Sequence, residues 1–233
     1  MVLFPVLINI PPPMLVDDTA DRSYWKDHGG NLQHFHSSQA WDSLRVRNDK
    51  VDWVDAVWFS QCIPRHSFHV WLVIRNKLKT QDRMSIGEAG SATNLALMCC
   101  PLCAYDRDSR DHLFFQCAYA SEVWKTVRDW VDMGNVNNTW DSVMGWLVNS
   151  ANTRHLGGVV CKILVGAATY YIWQERNNRL FSRLQRSPDI LSQVILSSVR
   201  LKLMGFRIMK HPDHMKIMDR WQISKKNLTE DPG

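Results

Sequence analysis

The sequence contains no internal repeat and no low-complexity tract. The first absence argues against solenoids and propellers, and the second argues against a compositionally disordered chain. Charge of either sign is also modest, with a formal net charge of +5 and a pI near 8.9. This balance permits a polyanionic partner but does not require one. An apolar content of 45% lies in the globular range, so the chain has enough apolar side chains for a core.

Targeting and membrane-spanning signals are weak. Residues 1–10 are apolar but lack a basic start and run into Pro11–Pro13, so they make a poor signal peptide. The apolar stretch Leu156–Trp173, at about 18 residues, is at the lower limit for a membrane span, and Lys162 interrupts it, which favours a buried helix. Lys225–Lys226 is too short for a nuclear localisation signal. The sequence therefore predicts an intracellular protein that has no membrane partner.

The six cysteines are unevenly distributed, because four of them lie between Cys99 and Cys117. A disulfide scaffold would be spread over a short secreted chain, and nothing in this sequence indicates secretion. Reduced thiols concentrated in one short segment instead indicate metal binding. Cys62 and Cys161 lie outside this segment, and we expect them to be small buried residues rather than ligands.

The cysteine-rich segment has metal-ligand spacing, Cys100-x2-Cys103-x8-His112-x4-Cys117. Zinc takes four nitrogen or sulfur ligands at tetrahedral angles, and a Cys-x-x-Cys turn directs two sulfurs to one point. Four protein ligands leave no position for a reacting water, so the pattern indicates one structural Zn²⁺. Cys100 is the preferred first ligand, and its neighbour Cys99 is the alternative.

The second ligand pair constrains the local backbone. His112 and Cys117 are five positions apart, and in a regular α-helix this spacing leaves their side chains roughly 140° apart. A helix that begins near Asp111 is therefore expected to bend or end around Cys117, before the next helix begins near Ser121.

The remaining sequence predicts a mainly α-helical chain. Gly29–Gly30 favours a minor β-hairpin near the N-terminus. Ser187-Pro188-Asp189 predicts a helix start, since it combines a capping serine, a proline at the first helical position and an acid in the first turn. Helical spacing of apolar residues occurs in the segments 39–48, 52–59, 67–77, 121–130, 140–148, 159–181 and 187–211. The predicted fold is a set of short helices around a small Cys/Cys/His/Cys zinc knuckle, followed by a C-terminal helical hairpin.

The zinc segment and its flanks resemble a known family. Cys-Pro-Leu-Cys at 100–103, His112–Cys117 and Val123-Trp124 are similar to the reverse-transcriptase zinc-binding domain of plant retroelements without long terminal repeats. The similarity continues in the segments 25–35, 53–58, 63–68, 71–72, 78–83 and 172–177. The predicted organisation is an irregular lead-in at 1–23, this zinc-binding domain at 24–130, a C-terminal helical region at 139–210 and a disordered tail at 222–233.

The resemblance implies a function. In that family the domain follows a polymerase domain, acts in the nucleus and is expected to bind RNA or DNA, with zinc held at the four positions given above. Basic side chains contact phosphate, and the candidates near the motif are Arg65, His66, Arg75, Lys77, Lys79, Arg83, Arg107 and Arg110. The alternative is a protein-interaction domain that packs against a reverse transcriptase domain and has no independent activity.

Catalytic residues are not expected. Polymerase chemistry needs acidic residues that hold two metal ions. Leu15-Val16-Asp17-Asp18 has paired aspartates, but it lacks the aromatic first residue of the polymerase tetrapeptide, and no palm-like sequence precedes it. No endonuclease or ribonuclease H constellation is evident. The sequence thus predicts a retroelement fragment that is not an enzyme, with RNA-directed DNA polymerase activity attached only through its family.

Overall fold

The computed structural model describes most of the chain, in the segments 20, 24–27, 29–46, 48–83, 99–131, 133–134, 136–150 and 155–229. The chain divides into two compact units, residues 1–49 and 50–233, and each is considered by itself. Two predictions fall outside the described residues. They are the lead-in at 1–23 apart from Ala20, with the Leu15–Asp18 tetrapeptide, and the last tail residues 230–233.

The first unit contains a small antiparallel sheet and one helix. Strand β1 (Tyr24–Lys26) pairs with β2 (Leu32–His34). Gly30 closes the connection with a φ of 80°, a left-handed conformation that favours glycine. Helix α1 (Ser37–Leu44) follows β2. The β-hairpin that the paired glycines predict is therefore confirmed.

The second unit is mainly helical, as predicted. Its α-helices are α2 (Val54–Val57), α3 (Pro64–Ile74), α4 (Ala118–Arg128), α5 (Trp140–Ser150), α6 (Leu156–Asn177), α7 (Pro188–Met204) and α8 (Pro212–Arg220). Tighter 3-10 turns occur at Gln81–Arg83 and Lys225–Asn227, and wider π-type turns at His112–Gln116 and Asn178–Ser182. Helix α3 begins earlier than the apolar spacing indicates, because Pro64 occupies its first helical position.

Helix α6 is the central element of this unit. Every residue from Val159 to Thr169 is buried, as expected of a helix that is apolar on all sides and surrounded by other helices. The charged Lys162 is accommodated because its Nζ donates to the backbone oxygen of Asp55 at 2.9 Å. Among the described residues, Leu156–Ser182 is one helix that is long and apolar enough to cross a membrane. Of its most apolar 18-residue stretch, 72% is buried inside the protein. The prediction of a buried helix agrees with this burial.

Helix α7 pairs with α6 and starts where predicted. The Ser187 side chain accepts a hydrogen bond from the Ile190 backbone N–H at 3.3 Å, and Pro188 follows at the first helical position. Helix α7 packs against both α6 and α4. The predicted C-terminal helical pair is thus present, and the region 139–210 belongs to the same compact unit as the zinc segment.

The chain after α8 is more ordered than its polar composition predicts. Strand β3 (Ile208–Met209) pairs in parallel with β4 (Leu228–Thr229). The predicted disordered tail begins at residue 222, but Ile223 is buried, and β4 gains its backbone partners from β3. The sequence does not predict this pairing because the two strands are short and are separated by α8.

Candidate metal centre

Three cysteines and one histidine come together at one point of the second unit. The ligand atoms of Cys100, Cys103, His112 and Cys117 all lie within 4.8 Å of one another. The Sγ atoms of Cys100 and Cys117 are 3.8 Å apart, and Cys103 Sγ is 3.4 Å from His112 Nε2. Zn–S and Zn–N bonds of about 2.3 and 2.0 Å at tetrahedral angles separate ligand atoms by about 3.5–3.8 Å. The cluster could therefore hold one tetrahedrally coordinated ion.

A tight turn positions the first two sulfurs. The backbone N–H of Ala104 donates to the Cys100 oxygen at 2.7 Å, and the Cys100 N–H donates to the Asp106 oxygen at 2.6 Å. Ala104 has a φ of 56°, which is uncommon for a residue other than glycine and reverses the chain just after Cys103. The turn thus directs both thiols to the same side.

The structure distinguishes between the two candidates for the first ligand. Cys100 is fully buried and contributes its sulfur to the cluster. Cys99 is only partly buried and lies in an isolated antiparallel bridge opposite Arg107. Successive residues of an extended segment point to opposite sides, so only one of the two adjacent thiols faces the cluster. That thiol belongs to Cys100.

A widened helical turn aligns His112 with Cys117. The Cys117 N–H donates to the His112 oxygen at 2.7 Å, an i→i+5 hydrogen bond of the π type. The additional residue in the turn brings side chains five positions apart closer to one face than the roughly 140° separation of an α-helix. Cys117 itself leaves the helical conformation, with φ −57° and ψ 133°, and α4 begins at Ala118. The predicted interruption at Cys117 is confirmed, although the next helix begins before Ser121.

Burial and hydrogen bonding set the ionisation of these groups. The Cys100 thiol donates to Cys117 Sγ, and this bond together with burial raises the pKa of Cys100. The same bond lowers the pKa of Cys117. Burial lowers the pKa of His112 despite the opposing effect of Asp106 and Asp108. The imidazole is therefore neutral near pH 7, as a metal ligand must be, and an ion that binds the thiols would displace their protons.

Comparison with known proteins agrees with this geometry. Residues 35–124 match the model of the family described as zinc-binding in reverse transcriptase. This segment is therefore similar to that family, and the match covers less than half of the chain. The matched zinc-binding domain contains all four residues of the cluster. No curated protein and no solved structure matches the chain.

Five of the eight predicted nucleic-acid contacts lie at the end of α3, on the chain that follows it, or on the metal loop. All five side chains are exposed, and we call them the basic edge: Arg75, Lys77, Lys79, Arg83 and Arg107. The Gln81 N–H donates to Asp108 Oδ2 at 2.9 Å, and the Asp82 N–H donates to the Asp108 oxygen at 3.2 Å. These bonds hold the chain that follows α3 against the loop that carries Arg107. The chain that follows α3 and the loop that carries Arg107 are therefore neighbours, although they are distant in sequence.

The other three predicted contacts are buried, packed on an aromatic ring or paired with an acid. His66 is only 1% exposed and packs on the Tyr170 ring, and burial lowers its pKa to about 4, so the predicted phosphate contact is corrected to a core position. Arg65 lies over the same ring, with its guanidinium carbon 5.3 Å from the centroid, at the N-terminal end of α3. Arg110 pairs with Asp111, its Nε 2.7 Å from the carboxylate.

Sequence reasoning missed a set of charged residues that are buried in the metal loop and at the end of α6. Asp108 lies between Cys103 and His112 and is fully buried, where it forms an ion pair with Arg176 of α6. Glu175, the preceding residue of α6, is also fully buried. The available signal was a run of alternating acids and bases in the metal loop, which is more often a solvated loop than a buried contact.

Proposed function

We propose that the zinc-binding domain is a structural zinc module of a reverse-transcriptase-related protein, that it binds nucleic acid, and that it contributes no catalytic centre. The observation that carries the proposal is the clustering of three thiols and one imidazole, whose ligand atoms all lie within 4.8 Å of one another. Sulfur and nitrogen donors with no carboxylate among them suit Zn²⁺ better than magnesium or calcium. Four protein donors complete the coordination, which is typical of a structural ion.

The ion would act by joining two pieces of backbone. Cys100 and Cys103 lie in one turn, and His112 and Cys117 lie at the ends of another, with the loop that carries Arg107 between them. Structural zinc contributes about 10–16 kcal/mol to the folding of small zinc domains at neutral pH. Holding this loop in place would keep Arg107 beside the other residues of the basic edge.

Zinc stoichiometry of the purified chain tests the metal part of the proposal. We expect one zinc ion per chain, lost in Cys103→Ser and retained in Cys99→Ser. Cys99→Ser is a matched control because it removes the neighbouring thiol that lies outside the cluster. A folded wild-type protein without zinc would refute the metal assignment. Loss of zinc in Cys99→Ser with retention in Cys100→Ser would refute the register.

Nucleic-acid binding is supported by the basic edge. Its exposed arginine and lysine side chains come from two segments of the chain, and the contacts of Asp108 hold these two segments together. Lysine and arginine contacts to phosphate release counterions, so affinity falls steeply as salt rises. This surface therefore suits the backbone of an RNA or DNA strand better than it suits an apolar partner.

Binding of a single-stranded RNA and a single-stranded DNA at several salt concentrations tests this part. Each phosphate contact contributes about 0.7 to the slope of log K against log salt for a single strand. Replacing Arg75, Lys77 and Arg107 together by glutamine removes three such contacts and should reduce the magnitude of the slope by about 2. The matched control replaces Lys210, Lys225 and Lys226, which are exposed near the β3–β4 pair, and should leave the slope unchanged. Equal slopes in the two triple variants would contradict the assignment of the basic edge.

A second candidate function is packing against a reverse transcriptase domain. It is favoured by an open groove of about 690 Å³ that runs along α3, α6 and α7 and is lined by both apolar and polar side chains. Ile190 is 51% exposed and Leu201 is 69% exposed on this surface. Replacing both with glutamate should abolish co-purification with a polymerase domain if the groove docks it, and should leave salt-dependent nucleic-acid binding unchanged. Co-purification that survives the substitutions would rule out the groove.

A further inference from the structure

Arg179, in the π-type turn that follows α6, binds the Cys-x-x-Cys turn directly. Its Nη1 donates to the backbone oxygen of Leu102 at 2.8 Å, next to Cys103 in sequence. Its Nε donates to the Glu175 carboxylate at 3.0 Å, and its guanidinium carbon lies 4.3 Å from the Tyr119 ring centroid. Arginine has a rigid planar fork of donors, so these contacts fix the orientation of the guanidinium as well as its position.

Arg176 contacts the chain on the other side of Cys103. It forms a buried ion pair with Asp108, which lies in the loop between Cys103 and His112. The side chains of this pair are 4% and 0% exposed. Asp108 also accepts the Gln81 N–H, so one carboxylate joins α6, the metal loop and the chain that follows α3.

A third set of contacts involves the start of α4, which follows the ligand Cys117. The Tyr119 hydroxyl donates to the Arg186 oxygen at 3.1 Å, and the Arg186 N–H donates to Glu175 Oε1 at 2.8 Å. Arg179 Nη2 also donates to the Arg186 oxygen, at 3.1 Å. The chain between α6 and α7 is therefore bonded to the start of α4, close to Cys117.

These contacts matter most for Cys103. Cys100 and Cys117 are fully buried and held by core packing, whereas Cys103 is partly exposed. Its two flanking segments are held instead by Arg179 at Leu102 and by Arg176 at Asp108. Outer contacts that orient metal ligands commonly raise metal affinity by about 10–100-fold.

We propose that Arg176 and Arg179 are positioning residues for the metal site, so that the working zinc module extends to about residue 186, well beyond the matched segment 35–124. The inference rests on the proposed binding of zinc. Residues 175–186 present the Cys103 thiol to the ion in a conformation that the zinc-binding domain alone does not fix. Zinc affinity, and not only fold stability, therefore depends on the end of α6.

The test is the zinc dissociation constant of the full-length chain, measured by competition with a chelator, together with the thermal midpoint of the metal-free protein. Arg179→Lys keeps the positive charge beside Glu175 but loses the fork that reaches the Leu102 and Arg186 oxygens at once. The matched control is Arg128→Lys, because Arg128 also donates to a backbone oxygen, that of Val136 at 2.9 Å, but not in the metal segment.

We expect zinc to bind about 10–100-fold more weakly to Arg179→Lys and within about threefold of wild type to Arg128→Lys, at comparable thermal midpoints. Equal zinc affinities in the two variants would overturn the inference while leaving the zinc proposal intact. A wild-type chain that binds no zinc would defeat both. If Arg179→Lys does not fold, the double variant Glu175→Gln with Arg179→Met, which leaves no buried charge unpaired, decides by the same affinity criterion.

Discussion

Lowering the pH should destabilise the protein through His69, and replacing this residue with phenylalanine should remove that part of the effect. His69 lies on α3, is 5% exposed, and packs against Phe114, Tyr170 and Trp173. Neither ring nitrogen has a hydrogen-bond partner within the part of the chain that the structure describes. Burial lowers the pKa of His69 to about 4, with a further contribution from His66.

The magnitude follows from the difference between the folded and unfolded pKa values. An unfolded histidine has a pKa of about 6.5, so between about pH 6.5 and 4 the unfolded chain binds a proton that the folded chain does not. The free energy of unfolding is therefore highest above this window and falls as pH decreases through it. Lowering the pH from 7.5 to 5 should cost about 2 kcal/mol at this one residue.

His69→Phe keeps the ring shape and removes the nitrogens. Because those nitrogens are buried without partners, we expect the variant to be more stable than wild type by about 1 kcal/mol at pH 7.5. The advantage should grow to about 3 kcal/mol at pH 5, when the proton-binding cost is added.

Urea unfolding of both proteins at the two pH values measures this change. The metal ligands also titrate in acid, but they are present in both proteins, so the difference between variant and wild type at each pH isolates His69. An advantage that does not increase at pH 5 would refute the buried neutral histidine. His66→Phe is a useful comparison, since His66 borders a cavity of about 20 Å³, large enough for one water. If a water there bonds the ring, the gain of His66→Phe at pH 7.5 should be smaller than that of His69→Phe.

Three further outcomes are expected. Ser187→Ala removes the side-chain cap of α7 and should lower the free energy of unfolding, measured in urea, by about 1 kcal/mol. Leu191→Ala, at a fully buried position of the same helix, should cost about 2–5 kcal/mol by the same assay, whereas Leu201→Ala, 69% exposed, should stay within about 0.5 kcal/mol of wild type. Adding a chelator should lower the thermal midpoint of wild type and leave that of Cys103→Ser unchanged; equal shifts in both would contradict a zinc contribution to stability.

The features that could be predicted from the sequence are those that local spacing determines. The four clustered residues follow from the Cys-x-x-Cys turn and from the five-position interval between His112 and Cys117, which required a break in the helix. The start of α7 follows from Ser187 and Pro188, because capping uses neighbouring residues only. The mainly helical fold follows from apolar periodicity.

The features that could not be predicted depend on contacts between distant segments. His66 follows Arg65 and looks like part of a basic surface, but α6 approaches α3 closely at Gly166, where an added Cβ would lie 3.5 Å from that of His66. Asp108 and Arg176 are 68 positions apart, and the local sequence around neither residue predicts their contact. The β3–β4 pair is likewise too short to show a strand pattern.

The π-type turn between His112 and Cys117 makes the length of this segment a requirement in its own right. Such a turn is equivalent to an α-helix into which one residue has been inserted. Removing one residue from Leu113–Gln116 would restore the ordinary hydrogen-bond pattern, rotate the buried pair Phe114 and Phe115 relative to the core, and change the side on which Cys117 emerges. Substitutions of similar size should be accommodated in this segment more readily than any single deletion, so a homologous chain of altered length here would have to rebuild its metal site.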